Sequence, residues 1–242
     1  MKLQKYLLLV CLVTGTSAYG QIKPEETEVW EPEPKVVTPG ENGLPPSDAI
    51  VLFDGSNFSA WQETKSKQNI QWKLTEGCME IVANMGSIET KQSFGDIQLH
   101  IEWKVPNSDL SGQDRSNSGV FLQGRYEVQI LDSYENRTYS NGQAGAVYKQ
   151  YAPLVNAMNR PGEWQVYDIL FTAPKFNEQD SLLVPGYLTL LHNGILIQNH
   201  VEIKGSTVWQ GYPSYEPHGK APIILQDHNS PIWFRNIWVR EL

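Results

Sequence analysis

Asp96-Ile-Gln-Leu-His-Ile-Glu-Trp-Lys-Val105 alternates polar and apolar residues at every position. A period of two puts Ile97, Leu99, Ile101, Trp103 and Val105 on one face and Gln98, His100, Glu102 and Lys104 on the other, the pattern of a strand with one side against a core. Outward from this stretch, short apolar or alternating runs recur between turn signals at 49–53, 70–74, 79–82, 119–122, 126–131, 164–171, 187–191, 195–201, 223–225 and 232–239. With 97–105 these are eleven candidate strands, and hardly one helical period of useful length accompanies them, so the spacing predicts an all-β domain. Asn193-Gly194 between two apolar runs reads as a two-residue type I′ hairpin turn, because both residues tolerate positive φ. The strands are too many for a small barrel and no repeat period marks a propeller. The expected fold is a two-sheet antiparallel β-sandwich of the jelly-roll kind.

The chain has 242 residues, 40% of them hydrophobic, which excludes wholesale disorder. Its formal charge of -8 argues against a general nucleic-acid or anionic-membrane binder, since both need a basic footprint. Lys2 and Lys5 precede an apolar run from Tyr6 to Val13 and small residues through Ala18 to Gly20, the layout of a Sec-type secretory signal peptide over 1–20 cleaved after Ala18 or Gly20. The run is far short of the ~20 residues that span a bilayer, so a soluble periplasmic or extracellular protein is expected. Cleavage leaves Cys78 as the only cysteine, a buried structural thiol by its surroundings, and no intramolecular disulfide. Residues 21–47 carry six prolines and a run of glutamates, the composition of an extended linker, and the folded domain is expected over 48–242.

The same parity argument applies to Tyr126-Glu-Val-Gln-Ile-Leu-Asp132: Val128 and Ile130 face the core, while Glu127 and Gln129 project together from the opposite face. Carboxylates projecting from strands about 4.8 Å apart can share a groove, so Glu102 and Glu127 are expected to do so. Asn117-Ser-Gly-Val120 leads into the Glu127 strand and adds a polar group, with aromatic neighbours suited to sugar stacking. Glu127 to Asp132 is similar to the E-x-D-x-x-E strand of retaining jelly-roll glucanases, but Gln129 replaces the middle acid. A retaining glycosidase needs its two carboxyls about 5–5.5 Å apart, and a residue five positions on lies on the wrong face unless a bulge resets the parity. The five histidines show no close zinc spacing. His192 and His200 are expected on an exposed hairpin. Gln226-Asp-His228 ends a strand at a turn, and Arg235 lies on the returning strand, as a structural fork or as a binder of carboxylate or substrate. No phosphate loop, dinucleotide fingerprint or G-x-S-x-G elbow occurs.

Eight short motifs in order carry a resemblance over about residues 48–242: Leu52-Phe-Asp-Gly55 followed by Trp61; Phe94-Gly-Asp-Ile97 with Ile101-Glu-Trp-Lys104; Asn117-Ser-Gly-Val120; Tyr126 to Asp132; Gly145-Ala-Val-Tyr148; Gly162-Glu-Trp164; Leu225-Gln-Asp-His228; and Phe234-Arg-Asn-Ile237. On these the chain resembles the 3-keto-disaccharide hydrolase domain family. The resemblance implies a concanavalin A-like jelly roll, hydrolase or lyase activity on 3-keto-glycosides, and a companion sugar 3-oxidoreductase that makes the substrate. A ketone at C3 acidifies the proton on C2, so a base forms an enolate that expels the group at C1, and water adds afterwards. For that chemistry Glu127 or His228 is the expected base, and Arg235 or a bound divalent cation the expected stabiliser of the enolate. Glu102, Asn117, Gln129, Asp132 and Tyr148 are then expected to bind sugar hydroxyls or complete the acid side. The competing expectations are a carbohydrate-binding module without chemistry and a conventional retaining β-glucanase-like glycosidase.

Overall fold

In the computed structural model, residues 22–242 are described, and the expected signal peptide lies outside them. The chain divides into two compact units at Val36/Val37. In the first, the described residues contain one 3-10 turn, Pro24–Glu26, and Trp30 is exposed. The second unit begins at Val37, so the last part of the Pro-rich segment belongs to the sandwich and the division falls earlier than residue 48.

The strands, in chain order, are β1 (Ile50–Phe53), β2 (Trp61–Glu63), β3 (Lys73–Thr75), β4 (Cys78–Glu80), β5 (Ile88–Thr90), β6 (Ile97–Lys104), β7 (Ser118–Leu122) and β8 (Tyr126–Ile130). They continue as β9 (Gln165–Thr172), β10 (Lys175–Phe176), β11 (Leu182–Val184), β12 (Tyr187–His192), β13 (Ile195–Glu202), β14 (Ile224–Leu225) and β15 (Trp233–Glu241). One sheet runs β13-β12-β9-β6-β15-β4-β3 with β1 also on β15, a second runs β2-β5-β14-β7-β8, and β10 and β11 form a separate hairpin. Every named pairing is antiparallel, so the fold is the expected all-β two-sheet antiparallel sandwich.

The core is built by the predicted alternation. Leu99, Ile101 and Trp103 of β6 and Tyr167 and Ile169 of β9 face Val120 and Leu122 of β7 and Val128 and Ile130 of β8, all buried. Tyr167 crosses this core and donates its hydroxyl hydrogen bond to the carbonyl of Gln129 at 2.8 Å, tying the larger sheet to the strand that carries Glu127. At the β12–β13 turn Asn193 (φ 52°) and Gly194 (φ 77°) both occupy the left-handed region, as the hairpin signal requires. The hairpin histidines divide, however. His200 is exposed and stacks on Tyr187, with ring centroids 4.5 Å apart, whereas His192 is buried between Trp103 and Tyr167. His192 shares the inward parity of Leu188 and Leu190, which overrides its closeness to the turn.

The outer face of the larger sheet carries a charged cluster. His100 Nδ1 lies 2.7 Å from Asp168 Oδ1, Arg235 Nε donates to Glu102 Oε2 at 2.6 Å, and Asn236 Nδ2 donates to Glu102 Oε1 at 2.8 Å. The register of β15 on β6 shifts between Arg235 and Trp238, and Asn236 has φ 45°. This bulge inserts one residue, so that Arg235 and Trp238 both face outward while Phe234 and Ile237 stay in the core. The segment beginning at Val37 docks here: the Gly43 carbonyl accepts hydrogen bonds from Asn236 Nδ2 and Trp238 Nε1, each at 2.9 Å. Cys78 is a free, half-buried thiol whose pKa burial pushes up.

Candidate active site

The outward face of the smaller sheet carries the candidate site. Glu127 and Gln129 of β8 stand opposite Phe121 and Gly119 of β7, and Gln226, just past β14, donates its backbone N–H to the Gly119 carbonyl at 3.0 Å. Directly opposed residues share a face, so these side chains project together. With Asn117, Tyr148, Thr207, Trp209 and His228 they line a cavity of about 260 Å³.

Gly119 makes the room for the central carboxyl. A β-carbon there would lie 2.5 Å from Glu127 Oε1, closer than side chains ever approach, so only glycine leaves the carboxyl where it is. Glu127 is 5% exposed, and its carboxylate has no hydrogen-bond or ion-pair partner among the described residues. Burial without compensation penalises the charged form and pushes its pKa up to about 8. Among the described residues lining the cavity, Glu127 is the one carboxylic acid.

Around it the polar groups are amides. Gln129 Nε2 donates to Asn117 Oδ1 at 3.3 Å, and Asn117 Nδ2 donates to the Gln113 carbonyl at 2.9 Å. The Oε1 atoms of Gln129 and Gln226 are buried without a hydrogen-bond partner among the described residues. Such acceptors are costly to leave unpaired, and a ligand bearing hydroxyl donors relieves that cost. The Tyr148 hydroxyl lies 2.7 Å from that of Tyr139, and burial raises the Tyr148 phenol. His228 sits exposed at the rim. Thr207 Oγ1 accepts the backbone N–H of Glu127 at 3.0 Å, fixing the loop after β13 to the catalytic-face strand.

Of the residues expected from sequence, the structure therefore brings together Glu127, Gln129, Asn117, Tyr148 and His228. It does not bring in Glu102, Arg235 or Asp132. Glu102 and Arg235 pair on the outer face of the larger sheet, so the expected groove shared by Glu102 and Glu127 does not form. Parity fixed that both glutamates leave the core, but not that they leave it on opposite sides of the sandwich. Asp132 follows β8 and turns inward: it is wholly buried and bound to Arg115 Nε at 2.6 Å. Burial raises its pKa against the lowering pull of Arg115. Phe121, Gln226, Thr207 and Trp209 line the cavity without having been singled out. For Trp209 a signal exists, an aromatic residue in a Gly- and Pro-bearing loop outside any strand period. Among the described residues no group of three or more His, Cys, Asp or Glu side chains converges as a metal site.

The two-sheet sandwich thus carries, on its smaller sheet, a cavity lined by amides, aromatic rings and a single carboxyl. The chain belongs to the 3-keto-alpha-glucoside-1,2-lyase-like domain family, whose model matches residues 48–240. It is 24% identical, over the whole of both chains, to a 3-keto-disaccharide hydrolase of Bacteroides thetaiotaomicron. It is 51% identical to a candidate glycosyl hydrolase from Parabacteroides distasonis of known crystal structure, covering 93% of this chain and 98% of that one with a TM-score of 0.87. A second candidate glycosyl hydrolase from the same organism, 20% identical, superposes over 81% of this chain and 94% of its own with a TM-score of 0.62, and shares the fold.

Proposed function

We propose that the chain cleaves the glycosidic bond of 3-keto-glycosides, by removal of the C2 proton and elimination of the C1 substituent. The observation that supports this most is the buried, unpartnered carboxyl of Glu127 in the wall of the cavity. A double-displacement glycosidase needs a second carboxyl about 5–5.5 Å away, whereas abstraction of a proton made acidic by a neighbouring ketone needs only one base. A carboxylate with a pKa near 8 is a stronger base than an ordinary glutamate, and burial supplies that strength.

In the proposed sequence the Glu127 carboxylate takes the C2 proton and the C2–H electron pair forms the C2–C3 enolate. Collapse of the enolate expels the C1 oxygen, which takes a proton from His228 at the rim. Water then adds to the resulting enone at C1, or the enone departs. The amides of Asn117, Gln129 and Gln226 hold the ring hydroxyls and the developing enolate oxygen. A carbohydrate ketone of this kind arises by oxidation at C3, so a sugar 3-oxidoreductase is the partner the reaction calls for.

The test is proton NMR in deuterated water on a 3-keto-glucoside and on its unoxidised parent, each with and without chelator. Cleavage of the keto substrate alone with deuterium entering at C2 is the expected result, and loss under chelator would add a metal to the mechanism. Cleavage of the parent glucoside would support the conventional glycosidase, and binding of either sugar without change would support a carbohydrate-binding module.

A further inference from the structure

The loop after β13 places a large aromatic surface at the open edge of the cavity that holds the Glu127 carboxyl. Trp209 lines the cavity yet is 75% exposed. An indole in contact with a polar cavity and otherwise open to solvent is an unpaid apolar surface, and such surfaces mark contact sites.

The loop is held in place by hydrogen bonds rather than by burial of the ring. Lys149 Nζ donates to the Trp209 carbonyl, and the same ammonium lies 5.6 Å from the centre of the Trp209 ring. It also lies 5.7 Å from the Tyr148 ring and 5.8 Å from the Tyr139 ring, both of which it faces as a cation. Two residues earlier, Thr207 donates its N–H to the Arg125 carbonyl at 2.8 Å and receives the N–H of Glu127. The backbone at Trp209 is thus tied to the strand that carries the carboxyl, and the Lys149 ammonium lies over the exposed ring.

Resting on the reading that the cavity binds the sugar cleaved at C1, we infer that Trp209 is the platform for the leaving group. It selects substrates whose aglycone presents a flat ring, and Lys149 is the residue that positions it. Two sources share this chemistry, a second pyranose and an aryl group.

The test compares three 3-keto-glucosides, with methyl, phenyl and glucosyl leaving groups, on the wild type, Trp209→Ala, Trp209→Phe and Lys149→Met. In Trp209→Ala the preference for a ring-bearing leaving group over methyl, as a ratio of kcat/KM, is expected to fall at least tenfold, or about 1.4 kcal/mol. The loss should fall mainly on KM. Trp209→Phe keeps a ring and is expected to hold the ratio within about threefold, and Lys149→Met to lower it part of the way. The arm that loses more, phenyl or glucosyl, identifies the natural source. A ratio unchanged in folded Trp209→Ala would overturn the inference. Saturation-transfer NMR with unoxidised phenyl glucoside reads the platform without turnover: wild-type protein should saturate the aryl protons, and Trp209→Ala should lose that share relative to the sugar protons. Equal aryl saturation in both, or none in the wild type, would overturn the platform even if no keto-glycoside is cleaved.

Discussion

Gly119 lies directly against the Glu127 carboxyl, with space for a hydrogen and for nothing larger: the β-carbon of any other residue would stand 2.5 Å from Glu127 Oε1 and 3.0 Å from Phe121 Cε2. The backbone at 119 is not in the left-handed region, so the need for glycine comes from the neighbouring side chain rather than from φ. Gly119→Ala should therefore fold, with a melting temperature lowered by a few degrees, while kcat/KM on a 3-keto-glucoside falls by roughly a hundredfold because the base is displaced. Steady-state kinetics beside a thermal melt separate the two effects, and equal turnover in the variant would show that the Glu127 position is not critical.

Glu127 also gives the protein a pH-dependent liability. Its pKa is about 8 when folded and near 4.5 when unfolded, so between those values the unfolded chain has released a proton that the folded chain retains. The folded state is then favoured fully below pH 4.5 and loses that advantage as pH rises through 8. Glu127→Gln removes the titration, and should match the wild type near pH 4 and exceed it by a few kcal/mol near pH 9. Urea melts at the two pH values measure the difference.

Two histidines act in opposite directions around neutrality. Burial pushes the His100 imidazole down, but hydrogen bonds and charge from Asp168 and Glu102 outweigh burial and hold it at about 9. Its contribution is full below pH 6.5 and is lost as pH rises through 9. His192 has burial alone acting on it, which lowers it to about 3, so its contribution is present above pH 6.5 and is lost as pH falls toward 3. Imidazole nitrogen NMR at pH 7.5 should find His100 doubly protonated and His192 neutral, and at pH 5 His192 should still be neutral. Replacing His100 by Gln should flatten the part of the alkaline limb that Glu127 does not shape and, because His100 helps to hold the Glu102 carboxyl low, move the acid limb of the stability profile to higher pH.

The extent to which these features are legible in the sequence follows from what periodicity encodes. The alternation of Ile97 to Val105 and of Tyr126 to Ile130 gives strand and facing, and the Asn193-Gly194 turn gives one register. Three-residue strands such as Trp61–Glu63 and Ile88–Thr90 are too short to show a period and become strands only through pairing. The bulge at Asn236 leaves no mark in the run from Trp233 to Val239, yet it decides that Arg235 and Trp238 share the outer face. Parity says which residues leave the core, while strand order decides which sheet they leave from. For that reason the sequence places Glu127, Gln129 and Asn117 together but does not separate Glu102 from them, although Glu102 leaves from the other sheet. His192 is the opposite case, because its parity with Leu188 and Leu190 was readable.

Arg235 tests the separation of the two faces most directly. Its guanidinium holds Glu102 on the outer side of the larger sheet and stacks 4.0 Å over the Trp164 ring. Glu102 feels burial raising its pKa, but the His100 imidazole 3.7 Å away and hydrogen bonds from Asn236 and Arg235 prevail and hold it at about 2. Its stabilising contribution is present above pH 4.5 and is lost as pH falls toward 2. Arg235→Met removes one of these donors and a half-exposed ion pair, so a loss of about 1 kcal/mol is expected, with the acid limb of the stability profile moved to higher pH. Turnover of a 3-keto-glucoside should stay within about threefold of the wild type, because the proposed base, Glu127, stands on the other sheet. A hundredfold loss of kcat in a folded Arg235→Met protein would instead return Arg235 to the reacting sugar and require the substrate to bind on the outer face, beside His100 and Glu102.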